Sequence, residues 1–267
     1  MVPSANDLAI KERSNAYASI ASSGKFVVVA WGATTQDGRT DLYAATSHDG
    51  GGTFAAPVRV NATAGEANFS GERPSGVVYA AWRQVYEGNV RDIAFTRSSD
   101  GGRTFTTPLR ISDDNWVLDG CPENGPAMAV DRAGRIHVVW PTLVPGPTAQ
   151  SSPTLALFYA TSDDRTRFTP RQQIPTEGVP RHAQLILGRP GQLLVAWDEQ
   201  AGGSRSIAIA RGVVDSRGTA RFNREKIATE GSASYPVLAR TDGATIVGWT
   251  GAAAAAQTVI RVKRLTD

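Results

Sequence analysis

Residues 98–105 read Ser-Ser-Asp-Gly-Gly-Arg-Thr-Phe, and residues 47–54 read Ser-His-Asp-Gly-Gly-Gly-Thr-Phe. Both octapeptides follow the pattern S-x-D-x-G-x-T-F, and each lies between two apolar segments. The aspartate can accept hydrogen bonds from backbone N–H groups of its own loop, the glycines permit positive φ, and the phenylalanine can pack into the sheet below. The pattern therefore predicts a turn that joins two β-strands and is repeated along the chain.

Two weaker copies of this turn follow. The third runs from Thr161 to Phe168 without the glycine, and the fourth runs from Asp215 to Phe222 with a longer gap. The structural aspartates recur at intervals of roughly 50 to 60 residues, which indicates one small sheet per repeat. They are Asp49, Asp100, Asp163 and Asp215.

A second repeat has the same period. Five of the six tryptophans end an apolar, strand-like run, and a glycine precedes each run, as in a hairpin turn that leads into a buried strand. These runs are residues 26–31, 77–82, 136–140, 193–197 and 245–249. A loop, a third strand, the Asp turn and a short fourth strand follow. Four antiparallel strands per repeat are typical of a propeller blade.

We therefore predict a single all-β domain, a five-bladed β-propeller of four-stranded antiparallel blades, with six blades as the alternative. The predicted blades are residues 14–60, 66–111, 123–174, 181–227 and 233–267. Because the fifth unit lacks an Asp turn and a fourth strand, we expect residues 5–12 to add a strand that closes it. Residues 69–74 are polar and contain Pro74, so the inner strand of blade two is either irregular or a charged wall facing the channel.

Composition excludes several classes of protein. Hydrophobic residues make up 41% of the chain, which excludes disorder, and no apolar run is long enough to insert into a membrane. The net charge of +3 is spread along the chain and gives no nucleic-acid footprint. The single cysteine, Cys121, excludes a disulfide framework, and we find no metal or cofactor motif. We expect a monomer, secreted or periplasmic with its leader removed, or otherwise cytoplasmic.

The octapeptides resemble the Asp boxes of the sialidase superfamily, also called bacterial neuraminidase repeats. The resemblance covers most of the chain, since four turns and five Trp strands share one register. It implies a propeller whose Asp boxes are structural and lie on the rim away from the usual active-site face. It also implies a carbohydrate-active protein that binds or hydrolyses an anionic glycan at the open end of the channel.

The chain departs from true sialidases in two ways. Sialidases of this kind resemble six-bladed rings, and five blades are counted here. They also carry an F/Y-R-I/L-P motif that supplies the first of three arginines gripping a carboxylate, and nothing here matches it. Residues 57–60 and 108–111 are similar in composition but lie on outer strands. No catalytic residue is therefore transferred from the family.

Candidate ligand-binding residues lie on the rim that follows the Trp strands. Three arginines on different blades, Arg73, Arg83 and Arg181, are candidates to bind an anionic ligand, because a guanidinium pairs with a carboxylate through two hydrogen bonds. His182 lies beside Arg181. Trp116 is the one tryptophan outside the blade register, and it either stacks on a sugar or packs down onto the blades.

Candidate catalytic residues are Glu199 and Tyr235. Asp198 and Glu199 directly follow a Trp strand, and because neighbouring strand residues point to opposite faces, only one of them can face the channel. A tyrosine paired with a glutamate can attack a sialoside, which suggests Tyr235 with Glu199. The alternative function is a non-catalytic propeller, either lectin-like or a scaffold for protein interactions.

Overall fold

The computed structural model describes residues 7–61, 76–118, 124–146, 152–227, 229, 231–241, 244–252 and 257–265. The fold is an all-β, five-bladed propeller of antiparallel sheets, as the sequence predicts. The chain divides into two compact units, residues 1–126 and 127–267, which are described separately. The described part of the chain contains no helix with the length and apolarity needed to cross a bilayer.

The described residues of the first unit form two sheets. The first sheet has the order β1 (Ser14–Ser23), β2 (Phe26–Thr34), β3 (Thr40–Ser47) and β4 (Val58–Arg59). The second sheet contains β5 (Val78–Tyr86), β6 (Val90–Ser98) and β7 (Leu109–Arg110), and β8 (Trp116–Val117) pairs with the start of β6. The predicted inner strand at residues 69–74 lies outside the described residues.

Three sheets are formed by the part of the second unit that the structure describes. The first is built from β9 (Ala127–Val130), β10 (Ile136–Val144), β11 (Thr154–Ser162) and β12 (Gln172–Ile174). The next has the order β13 (Val179–Leu187), β14 (Gln192–Ala201), β15 (Ser204–Val214) and β16 (Ala220–Lys226). The last contains β17 (Ala233–Thr241), β18 (Ala244–Ala252) and β19 (Thr258–Leu265).

The tryptophan strands form the cores of both units, as predicted. Trp82 and Trp197 are fully buried, Trp82 against apolar residues such as Val28 of the adjoining sheet and Trp197 against Val139 and Tyr159. An indole removes a large apolar area from water when it is buried, so one tryptophan per blade contributes strongly to the packing between sheets.

The predicted closing strand is not found among the described residues. The last sheet has three strands, and residues 7–12 form no strand. Leu8 and Ile10 pack against Trp31 in the first sheet instead. The Asn15 amide fastens this segment, because it exchanges hydrogen bonds of 2.9 and 3.0 Å with the backbone of Ile10 and accepts one of 3.0 Å from Trp31 Nε1. Residues 5 and 6 lie outside the described ranges.

Both octapeptides form the turn that their pattern predicts. In the second one, Asp100 Oδ1 accepts hydrogen bonds of 3.0 Å from the Arg103 and Thr104 N–H groups, and Oδ2 accepts one of 2.6 Å from Thr104 Oγ1. Ser98 Oγ donates to Asp100 Oδ1 at 2.7 Å and accepts from the Gly102 N–H. The Thr104 and Ser98 hydroxyls and the backbone donors hold the pKa of Asp100 well below its ordinary value.

The third turn uses a different aspartate from the predicted Asp163. Asp164 Oδ1 accepts from the Thr166 and Arg167 N–H groups at 2.8 and 2.9 Å, and Ser162 lies two residues earlier, as in the octapeptides. Asp163 instead forms an ion pair with Arg135. The segment from Asp164 to Phe168 is one residue shorter than the segment from Asp100 to Phe105. The structural carboxylate of the third turn is therefore one position later than the octapeptide pattern predicts.

Asp215 also differs from the octapeptide geometry. Its backbone exchanges hydrogen bonds with Thr219 and Gly218, and its carboxylate accepts from the Arg217 and Thr219 N–H groups at 2.9 Å. The hairpin loop of Asp131 has the same backbone pattern. Asp215 is therefore the first residue of a tight β-hairpin that joins β15 to β16.

Candidate functional site

Two inner strands of the second unit contain a β-bulge with a strained residue. The register of β13 on β14 shifts between Arg181 and Gln184, and that of β17 on β18 shifts between Ser234 and Val237. Inside these bulges His182 has φ 51° and Tyr235 has φ 55°. A bulky residue in this left-handed region costs about 1–3 kcal/mol, and bulges re-aim side chains next to binding sites.

A buried carboxylate joins these two residues. Asp198 on β14 is fully buried, and its Oδ1 lies 2.6 Å from His182 Nδ1 and accepts a hydrogen bond of 3.1 Å from the Tyr235 N–H. Arg205 Nε lies 3.5 Å from Oδ2, which accepts no hydrogen bond from the described residues. A buried carboxylate needs such partners to remain charged. We call His182, Asp198, Arg205 and Tyr235 the Asp198 cluster.

The cluster has a buried floor and an exposed aromatic edge. The rings of His182 and Tyr235 are 4.2 Å apart between centroids and inclined by 37°. Tyr235 is 52% exposed, whereas the His182 side chain is 10% exposed. An exposed aromatic face above fixed polar groups can hold the apolar face of a sugar ring while its hydroxyl groups meet charged partners.

Glu199, one of the two predicted catalytic residues, lies on the other face of β14. It is buried and pairs with Arg224, and its Oε2 accepts hydrogen bonds from Trp197 Nε1 at 3.1 Å and from the Glu177 N–H at 3.2 Å. Both carboxylate oxygens are therefore committed to protein groups. Because Asp198 faces Tyr235, the strand alternation turns Glu199 away, and the predicted Tyr235–Glu199 pair is not brought together.

Arg83 and Trp116, both predicted to bind ligand, contact each other in the first unit. Arg83 is fully buried, and its Nε and one Nη donate to the Asn124 carbonyl at 3.2 and 3.1 Å. Its guanidinium lies 4.8 Å from the centroid of the Trp116 ring, which is 8% exposed. Of the two alternatives for Trp116, packing onto the blade is the one observed.

The remaining predicted residues have different outcomes. His182 and Tyr235 come together, and Arg181 lies on β13 with its Cα opposite that of Asp198. Arg73 lies outside the described residues, so the convergence of three arginines stays a prediction. Within the described ranges, no group of three His, Cys, Asp or Glu side chains is arranged to hold a metal ion.

Sequence reasoning weighed Asp198 but chose Glu199, and it did not include Arg205. A signal for Asp198 was present, because Trp197 is a core residue and Glu199 shares its face of the strand. The same relationship occurs at Trp82, whose Nε1 donates to Gln84 Oε1 at 2.9 Å. In these two W-x-[EQ] segments, the side chain two residues after the tryptophan accepts a hydrogen bond from the indole N–H. The residue between them points to the opposite face of the strand.

The fold matches many solved structures, although no protein-family model matches the sequence and no curated protein matches it significantly. A Dyadobacter fermentans protein of unknown function is similar with a TM-score of 0.66 and 16% identity, over 96% of this chain and 80% of that one. Penicillium chrysogenum α-L-arabinanase, complexed with arabinobiose, gives 0.59 and 14%, over 90% and 71%. Bacteroides thetaiotaomicron endo-arabinase gives 0.55 and 11%, over 96% and 95%. At these identities the likeness shows the propeller fold.

Proposed function

We propose that this protein binds a glycan at the Asp198 cluster. The observation that carries the proposal is a fully buried carboxylate held between two strained residues, one of which presents an exposed aromatic ring. Strain of this kind persists where the surrounding structure enforces it, and it concentrates at ligand sites. Support also comes from the similar propellers, which include an arabinanase complexed with arabinobiose.

The charges of the cluster favour a neutral sugar. Asp198 and Arg205 carry opposite formal charges and lie 3.5 Å apart, so they offset each other. An anionic glycan of the sialidase type requires a further cation, and Arg181, opposite Asp198 in the β13–β14 pairing, is the candidate for it. Sialosides and uronides therefore test the anionic form of the proposal against the neutral one.

A second candidate function is hydrolysis of the bound glycan. Asp198 beside His182 is an oriented acid–base pair, which favours it. Glycoside hydrolysis uses two carboxyls, about 5 Å apart for retention or 6.5–9.5 Å for inversion. The contacts of Asp198 among the described residues include no second carboxyl, and Glu199 faces away, so binding is the leading proposal.

The proposal is tested by isothermal titration and hydrolysis assays with arabino- and xylo-oligosaccharides, an α-sialoside and a hexuronide. We expect saturable binding of a neutral oligosaccharide and loss of that binding in Asp198→Asn. Arg217→Ala is the control, because the Arg217 side chain is 88% exposed and lies in a hairpin loop outside the cluster. Binding that survives Asp198→Asn would refute the assignment of the site.

A further inference from the structure

One cavity of the second unit has no role in the proposed glycan site. It has a volume of about 660 Å³ and lies at the hairpins that join β9 to β10 and β13 to β14, beside the end of β17. Sites for small molecules in proteins typically measure about 300–1,000 Å³. The cavity is therefore large enough for a compact metabolite, and we call it the hairpin cavity.

Three arginines line the hairpin cavity, each from a different sheet. Arg132 comes from the β9–β10 hairpin, Arg189 from the β13–β14 hairpin and Arg240 from β17. All three residues are exposed to solvent, so an anion can approach them without passing through the protein core. A guanidinium presents a planar fork of donors that matches the oxygens of carboxylate and phosphate groups.

The acidic residue in the lining, Asp131, is engaged by its own hairpin. Its Oδ1 accepts a hydrogen bond of 2.9 Å from the Arg135 N–H, and its Oδ2 lies 3.7 Å from His137 Nε2. The described residues that line the cavity therefore carry one carboxylate and three guanidinium groups. The balance of formal charge is positive, which favours an anion.

The lining of the cavity also includes a buried histidine and apolar residues. His137 is 2% exposed, and its Nδ1 lies 2.9 Å from the Tyr159 hydroxyl, which fixes the ring. Burial lowers the pKa of His137, so its imidazole is a neutral hydrogen-bonding group. Leu187 and Pro190 add apolar surface to the wall. The site therefore suits an anionic group carried on a compact carbon skeleton.

We propose that the hairpin cavity binds a small molecule bearing a carboxylate, phosphate or sulfate group, held by Arg132, Arg189 and Arg240. This site is separate from the Asp198 cluster. Gln192 lines the cavity at the start of β14, and Asp198 lies further along the same strand, about 20 Å away at roughly 3.3 Å per residue. A ligand here leaves the glycan site open.

Titration calorimetry with citrate and with inorganic phosphate, at constant ionic strength, tests this proposal. We expect saturable binding of one ligand per chain. Arg189→Ala and Arg240→Ala should each weaken it about tenfold, because each removes a charged donor of hydrogen bonds. Arg217→Ala, which removes the same charge outside the cavity, should leave the affinity unchanged.

Two results would overturn the proposal: no saturable binding of either anion by the wild-type protein, or equal weakening by Arg217→Ala and Arg189→Ala. The second result would show attraction by net charge alone. Asp198→Asn should leave citrate binding unchanged. Oligosaccharide titrations therefore test the glycan proposal, and citrate and phosphate titrations test this one independently. Melting temperatures of the arginine variants confirm that each variant is folded.

Discussion

His182 Nδ1 lies 2.6 Å from Asp198 Oδ1. This contact joins a residue with strained backbone on β13 to a fully buried carboxylate on β14. The Tyr235 N–H donates to the same oxygen from β17, so one carboxylate ties two sheets together at their bulges. This contact orients the imidazole and places the exposed Tyr235 ring beside it. The proposed glycan site depends on this geometry.

Strain at Tyr235 is open to a direct test with two truncations. Tyr235→Ala and Tyr235→Gly both remove the ring, but only glycine adopts φ 55° at no steric cost. We expect both variants to lose glycan binding to the same extent, and the glycine variant to be more stable by about 1 kcal/mol. Urea unfolding measures the difference. Equal stability of the two variants would show that the residue is unstrained.

Glu199→Gln should reduce stability, because it removes one partner of a buried ion pair. Arg224 is 11% exposed and keeps its contact of 2.7 Å with Glu177, so we place the loss at the lower end of the usual range, about 3 kcal/mol. Urea denaturation measures it. Glu225→Gln is a matched control at a half-exposed ion pair with Arg211, where the expected loss is below about 1 kcal/mol.

Asp100→Asn should make stability less dependent on acid pH. The pKa of Asp100 is lowered from 3.8 on folding, so its contribution is complete above the unfolded value and is lost as pH falls through the lower folded value. We expect the variant to melt below the wild type at pH 7, and the gap to narrow as the pH is taken below about 4. A gap that stays constant down to pH 2 would contradict this explanation.

Gly102→Ala should destabilise the turn more than Gly50→Ala. Both positions have positive φ, +82° and +80°, so both variants lose about 1 kcal/mol to backbone strain. A Cβ at position 102 would also lie 2.7 Å from Thr46 Cγ2, whereas position 50 has no atom within 4 Å. We expect roughly 1–2 kcal/mol of additional loss at position 102, measured by urea unfolding. Equal losses would mean that Thr46 moves aside freely.

Much of the fold follows from the sequence, because buried tryptophan strands and Asp turns are local patterns that repeat. The five sheets and the core tryptophans agree with those patterns. The closing strand was predicted because the fifth unit lacks an Asp turn and a fourth strand, but the side-chain bonds of Asn15 to Ile10 and Trp31 hold the N-terminal segment on the first sheet. An asparagine side chain has too many possible partners for its bonds to be predicted from sequence.

The candidate site was only half predictable. The sequence located His182 and Tyr235 near strand starts, but φ angles of 51° and 55° at residues with no turn signal cannot be inferred from residue type. Glu199 bonds to the indole of the buried Trp197, whereas Asp198 contacts Tyr235, so the predicted pairing of Glu199 with Tyr235 is not observed. In the third turn the structural carboxylate is Asp164, one residue after the predicted Asp163.

The most direct test of the central claim is oligosaccharide affinity in three proteins: the wild type, Asp198→Asn and Glu199→Gln. The account predicts that Asp198→Asn weakens binding at least about tenfold, since it removes the charge that positions His182, and that folded Glu199→Gln binds as the wild type does. Loss of binding in Glu199→Gln with full retention in Asp198→Asn would contradict the assignment of the glycan site to the Asp198 cluster. It would place the site on the opposite face of β14, where Glu199 lies.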